Sequence, residues 1–219
     1  MSTASRESTI RVLCITASSN SRHVGRGEST SLTCVPCFSH SCHVTQSVDI
    51  ERTYREVVAV EHVLEKIANT VGCSLFPPKG MPTLGAKYLL PDDLTRFYEL
   101  CGGAILFQQK DYHALIVSPD RVVPANPVIV GQEYADDITA SWHIIADDGN
   151  GDYLTIDLHP ERLGRCYDSF HETHGLVGDC PIIACSFSEL LHRLYENAGA
   201  HWYWLRPGFV PIGDAYDDA

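Results

Sequence analysis

The chain has 219 residues, 44% of them apolar, and a formal net charge of −12, which is enough apolar content for one domain with a proper core. The excess of negative charge repels phosphate backbones, so direct nucleic-acid binding is disfavoured and a basic protein partner is favoured. No apolar run approaches bilayer length, and Ile10–Ala17, interrupted by Arg11, is too short for a secretory leader; the expected location is the cytoplasm, away from any membrane.

The charge is uneven. Four arginines against Glu7 and Glu28 leave residues 1–48 at +2, so the remainder carries −14. Residues 1–48 are rich in Ser and Thr and poor in periodic apolar positions, which predicts a disordered extension. They also hold Cys34-x-x-Cys37, followed by His40, Cys42 and His43. Thiolates and imidazoles are zinc ligands, but a second, well-spaced pair is missing, so no metal site is assigned. The nine cysteines are odd in number and scattered, as expected in a reducing compartment.

The folded domain is expected over residues 49–219. Asp49 reads as the cap of a helix reaching Gly72, with Tyr54, Val57, Val58, Leu64, Ile67, Ala68 and Val71 at helical spacing. Phe76–Pro82 is a proline-rich linker. A second helix starts at Pro91, with Asp92 and Asp93 at the positive end of its dipole, and stops at Gly102-Gly103. Strands are expected at Ala104–Phe107, Ala114–Val117 and Val128–Val130, and a helical turn within Tyr134–Ala140.

The central stretch is Trp142-His-Ile-Ile-Ala-Asp-Asp-Gly-Asn-Gly-Asp-Tyr-Leu-Thr-Ile-Asp157. Two strand-like runs flank a polar, glycine-rich reversal, which predicts a β-hairpin. In the second run Tyr153, Thr155 and Asp157 alternate with Leu154, Ile156 and Leu158, the pattern of a strand with one face in water. Asp147, Asp148, Asp152 and Asp157 gather around the tip and along that strand, and are the candidate partner-binding residues. Further strands are expected at Gly164–Tyr167 and Pro181–Ala184. Ser186-Phe-Ser-Glu189 is a capping box opening a last helix that Gly199 closes. Trp202, Tyr203, Trp204 and Leu205 form an aromatic cluster expected to fold back on the core, with an interface patch as the alternative, and Asp214, Asp217 and Asp218 make an acidic end. A block of strands with helices at both ends gives an α+β fold, an antiparallel or mixed sheet with helices packed mainly on one face.

Catalytic patterns fail on spacing. Asp148-x-Asn150-x-Asp152 opens like a calcium loop, but the sixth and twelfth positions hold Tyr153 and His159 instead of Gly and Glu. His171-Glu-Thr-His174 is one residue short of the zinc-protease spacing. Neither a nucleophile elbow nor a phosphate-binding glycine loop is present. Cys166 and Cys185 read as small core residues, and His113 and His143 as structural. No catalytic residue, metal or cofactor is expected.

From about Leu84 to Tyr216 the chain resembles the SUKH superfamily, also called the Smi–Knr cell-wall-assembly regulator family. The resemblance rests on Leu90-Pro91 before a helix with Phe97 and Tyr98, the Ile145–Asp157 hairpin, Gly164-Arg-Cys-Tyr167, and Ile183-Ala-Cys-Ser-Phe-Ser-Glu-Leu-Leu191. Residues 1–48 match nothing in it. The resemblance implies an α+β protein-binding domain without catalytic machinery. Bacterial members are often immunity proteins that bind and neutralise toxin domains, and fungal members are scaffolds of cell-wall assembly. The expectation is therefore an immunity protein with a basic toxin partner. A cell-wall scaffold and a metal-dependent hydrolase are the alternatives.

Overall fold

A computed structural model describes the backbone of residues 42–217 and the side chains of residues 55–217. Seven strands form one antiparallel sheet in strict chain order. They are β1 (Ser74–Leu75), β2 (Ala104–Leu106), β3 (Ala114–Ile116), β4 (Trp142–Asp147), β5 (Tyr153–Asp157), β6 (Cys166–Ser169) and β7 (Ile182–Ala184). The helices are α1 (Cys42–Ala68), α2 (Asp92–Leu100), α3 (Ala125–Ile129) and α4 (Phe187–Glu196). Every strand pairs with its chain neighbour, so short loops suffice and no crossover is needed.

The three longer helices pack together over one face of the sheet. Val60, Val63, Leu64 and Ile67 give α1 its buried stripe. The Phe97 ring of α2 meets the Phe187 ring of α4 edge to face at 4.9 Å. Asp93 of α2 is buried and accepts the Ser188 amide in the first turn of α4, at 2.7 Å. Its side chain thus satisfies a backbone donor that a helix start otherwise leaves open. Burial raises its pKa. The Ser186 half of the capping box forms, while Glu189 returns one residue farther back than the N-cap. Ser186 Oγ accepts from the Glu189 amide at 3.2 Å, and Glu189 reaches back to the Cys185 amide at 2.8 Å.

The opposite face carries Trp142 stacked on Tyr167, with ring centroids 4.1 Å apart. The His174 ring packs edge-on against Trp142. A chain of hydrogen bonds from His174 through Asn126 of α3 to Thr139 covers this face. Thr155 is consequently fully buried and bonds Ser169 across the strands at 2.8 Å. The half-exposed strand expected from the alternation in β5 is therefore wrong. Both faces are covered, because a second layer assembled from distant residues closes the one that reads as polar.

Three boundaries differ from expectation. Helix α1 begins at Cys42 and runs through Asp49, so the helix crosses the expected domain boundary. It stops at Ala68, and Val71 is 98% exposed in the turn beyond. Val128–Val130 is not a strand: Ala125–Ile129 is helical, with Pro124 and Pro127 at its start. There the missing proline N–H costs nothing, because first-turn amides lack helical partners. Cys34, Cys37 and His40 lie outside the described residues, as does Asp218. Asp214 is not a loose acid. It accepts the Cys180 amide at 2.9 Å, and its neighbours pair with the outer edge of β7 through Ile182 N–H to Gly213 C=O at 2.8 Å. A covered edge is closed to strand addition.

Candidate functional site

The β4–β5 hairpin turns through residues 148–152, where Gly149 (φ 80°) and Gly151 (φ 105°) take the left-handed backbone that the reversal needs. Aspartates build the turn itself. Asp147 Oδ1 accepts the Gly149 amide at 2.6 Å, and Asp148 Oδ1 accepts the amides of Asn150 and Asp152 at 2.7 and 3.1 Å. These are Asx turns, which explains why the residue type recurs here. Asp147 also meets Arg121 at 2.6 Å. Asp152 Oδ1 accepts the His171 amide at 3.1 Å and pairs with its ring at 2.8 Å, raising the His171 pKa.

A one-residue bulge between Ile144 and Ala146 sets what the hairpin presents. Ile145 drops out of register with β5, and its carbonyl accepts from Val117 on the β3 side at 3.1 Å. Beyond the bulge Ala146 pairs with Leu154, and Leu154 pairs in turn with Asp168 of β6. Directly paired residues share a face, so these three form the floor of a groove of about 600 Å³. Trp202, Trp204 and Leu205 form one wall. The hairpin tip and the loop containing Gly178 and Asp179 supply the others.

Five aspartates line this groove, Asp147, Asp148, Asp152, Asp168 and Asp179, together with Tyr153, and no Lys, Arg or His lines it. Asp168 is the deepest feature of its chemistry. One oxygen accepts the Trp204 indole N–H at 2.8 Å. Burial pushes its pKa up to about 6, with Asp152 and Asp148 adding to the rise and the indole hydrogen bond opposing it. Sequence reasoning missed Asp168 because its place depends on the β5–β6 register. The only local signal is an acid in an otherwise strand-like run.

Asp147, Asp148 and Asp152 are thus brought together at one rim. Asp157 does not join them. It lies at the far end of β5, wholly buried, where Arg162 Nε donates to it at 2.8 Å and the His159 amide donates at 2.8 Å. The expectation that Asp157 faces a partner is corrected: its carboxylate ties the β5–β6 connection together and is closed to any other protein.

The remaining sequence candidates have structural roles. In His171-Glu-Thr-His174, His171 is exposed on Asp152, whereas His174 is buried against Trp142 with its pKa lowered to about 4 by burial. The two rings serve different layers. His143 is buried, bonded to the Ser141 carbonyl at 3.0 Å, with its pKa lowered by burial. The Cys166 thiol is fully buried and its pKa is pushed up by burial, the opposite of an activated nucleophile. Among the described residues no group of three or more His, Cys, Asp or Glu is arranged to hold a metal ion. No helix among them is long and apolar enough to cross a membrane.

Comparison with known proteins is consistent with this geometry. The model of the SMI1 / KNR4 family (SUKH-1) matches residues 86–193, which span α2 to α4 and the whole hairpin. Immunity protein YokJ of Bacillus subtilis (strain 168) is 49% identical over 160 residues, covering 73% of this chain and 97% of that protein. No solved structure matches the chain.

Proposed function

The chain belongs to the SMI1 / KNR4 family (SUKH-1), and on that premise we propose that it is an immunity protein, binding a toxin domain and silencing it by occupying its surface. The observation that carries this reading is the 49% identity to an immunity protein along almost all of that protein's length. The geometry supports the same conclusion. Asp147, Asp148 and Asp152 form a negative rim held rigid by its own turn, which suits a basic partner. Opposite charge speeds the encounter and fixes its orientation more than it adds affinity. Catalysis is not part of the reading: the groove-lining residues include no Ser, Cys, His or Lys to work beside Asp168.

Co-expression with the toxin domain encoded beside the gene tests it. Cells are expected to survive, and the two proteins to co-purify as one complex. Cell death together with separate elution would refute the reading.

A further inference from the structure

We propose that the groove beside the hairpin tip is the seat of an arginine side chain of the partner protein, its guanidinium directed at Asp168 and its flat face against the Trp202–Trp204 pair. This rests on the reading of the chain as a toxin-binding protein and names what that partner must present.

The two walls of the groove differ in kind. One is aromatic: Trp202 and Trp204 are stacked, with centroids 5.2 Å apart and an interplanar angle of 19°. Trp204 is fixed by its hydrogen bond to Asp168, and Trp202 is braced edge-on by Tyr112 at 5.6 Å. The rest of the lining is anionic, with Asp168 in the floor, four more aspartates around it and no Lys, Arg or His. Arg121 and His171 reach Asp147 and Asp152 from outside, but no salt bridge to Asp148, Asp168 or Asp179 forms among the described residues. A negative recess with an indole wall is complementary to a planar cation. Guanidinium stacks on aromatic rings and bonds two carboxylate oxygens at once, which ammonium does not. A volume of about 600 Å³ accommodates one long side chain with its neighbouring backbone.

The mouth is built for a protein. Leu205, in the aromatic wall, is 67% exposed, and Val177, next in the chain to the groove-lining Gly178, is 76% exposed. Leu205 and Val177 give the mouth apolar surface that a partner would cover, and arginine is among the residues that most often anchor an interface. The recess is also preorganised. Its floor is sheet backbone, and its key carboxylate is already locked by an indole.

The test uses the isotope-labelled chain titrated with acetyl-arginine amide, followed by NMR, with the acetyl-citrulline and acetyl-lysine amides alongside. The arginine compound is expected to move the indole signals of Trp202 and Trp204 and the Asp168 amide, leaving the Trp142 indole unchanged. Citrulline has nearly the same shape without the charge and should bind at least about tenfold more weakly. Lysine should fall between them. Asp168→Asn should weaken arginine binding about tenfold. The exposed Asp179→Asn should weaken it less while leaving the fold untouched. Equal binding of citrulline, shifts confined to other surfaces, or tighter binding of the lysine compound than of the arginine compound would overturn the proposal. Protection assays separate this from the broader reading. If wild type protects cells and Asp168→Asn protects equally well at equal expression, the groove assignment fails and the immunity reading stands. If wild type does not protect, the immunity reading fails.

Discussion

The two ends of the β5–β6 strand pair hold the same residue type in opposite circumstances. At one end Asp157 is wholly buried, but Arg162 and a backbone amide supply its counter-charge and hydrogen bonds. At the other, Asp168 on the neighbouring strand is largely buried beside Asp148 and Asp152, accepts from the Trp204 indole and the Phe170 backbone, and has no lining cation. A buried carboxylate without a cation is expensive, and it shows in a pKa raised to about 6. The first arrangement is finished within the chain and serves folding. The second has no cation of this chain lining it, and it is where the proposed arginine of a partner would sit.

Removing the partnered acid should have the largest effect. Asp157→Ala leaves Arg162 and the His159 amide without their acceptor, and is expected to cost about 3–5 kcal/mol, read by urea denaturation. A wild-type midpoint would erase the distinction between the two ends. The same buried end predicts acid sensitivity through His174. Its folded pKa is lowered to about 4 from 6.5, so protons bind the unfolded chain first as pH falls. The stability it contributes is complete above pH 6.5 and is lost on descent toward pH 4, amounting to about 3 kcal/mol. Thermal melts of His174→Gln should be flatter than wild type across that window; parallel curves would count against it.

The open end predicts the reverse sign. Asp168 has a folded pKa above its ordinary 3.8. Its contribution is therefore present below pH 3.8 and is lost as pH rises through about 6. Asp168→Asn keeps an acceptor for the Trp204 indole and removes the charge. At pH 7.5 it should stabilise the fold by on the order of 2 kcal/mol while weakening partner binding. A variant that loses both would place Asp168 with Asp157 as a folding residue. The smallest effect sharpens the contrast most cheaply. Arg121 is exposed and pairs with Asp147, so Arg121→Gln should change stability by less than about 1 kcal/mol. It should nevertheless speed association with a basic partner, because it uncovers one more rim charge. A slower association rate would contradict the rim's role.

What could be read from the chain alone follows the range of the interactions. Helices α2 and α4, the Ser186 cap and the β4–β5 hairpin are encoded locally, by caps, periodicity and the Gly149–Gly151 turn, and all four are found. The rim acids Asp147, Asp148 and Asp152 were visible for the same reason, since the turn and the acid cluster are one device. Asp157 was misplaced because alternation marks a second face without saying whether Trp142, Tyr167 and His174 will close it. Asp168 and the Trp202–Trp204 wall were not visible as a site, because strand register and a segment more than 30 residues farther along the chain bring them together. Val128–Val130, which overlaps the helix Ala125–Ile129, reads as a strand because a short apolar run carries no period of its own.

The most direct test is calorimetric titration of the toxin partner into wild type and into Asp147→Asn/Asp148→Asn/Asp152→Asn, at low and at high salt. Wild-type affinity should fall as salt rises, because exposed charge pairing is screened. The triple variant should bind at least about tenfold more weakly at low salt and respond little to added salt. Equal affinity and equal salt dependence in the two proteins would contradict docking through the acidic hairpin rim.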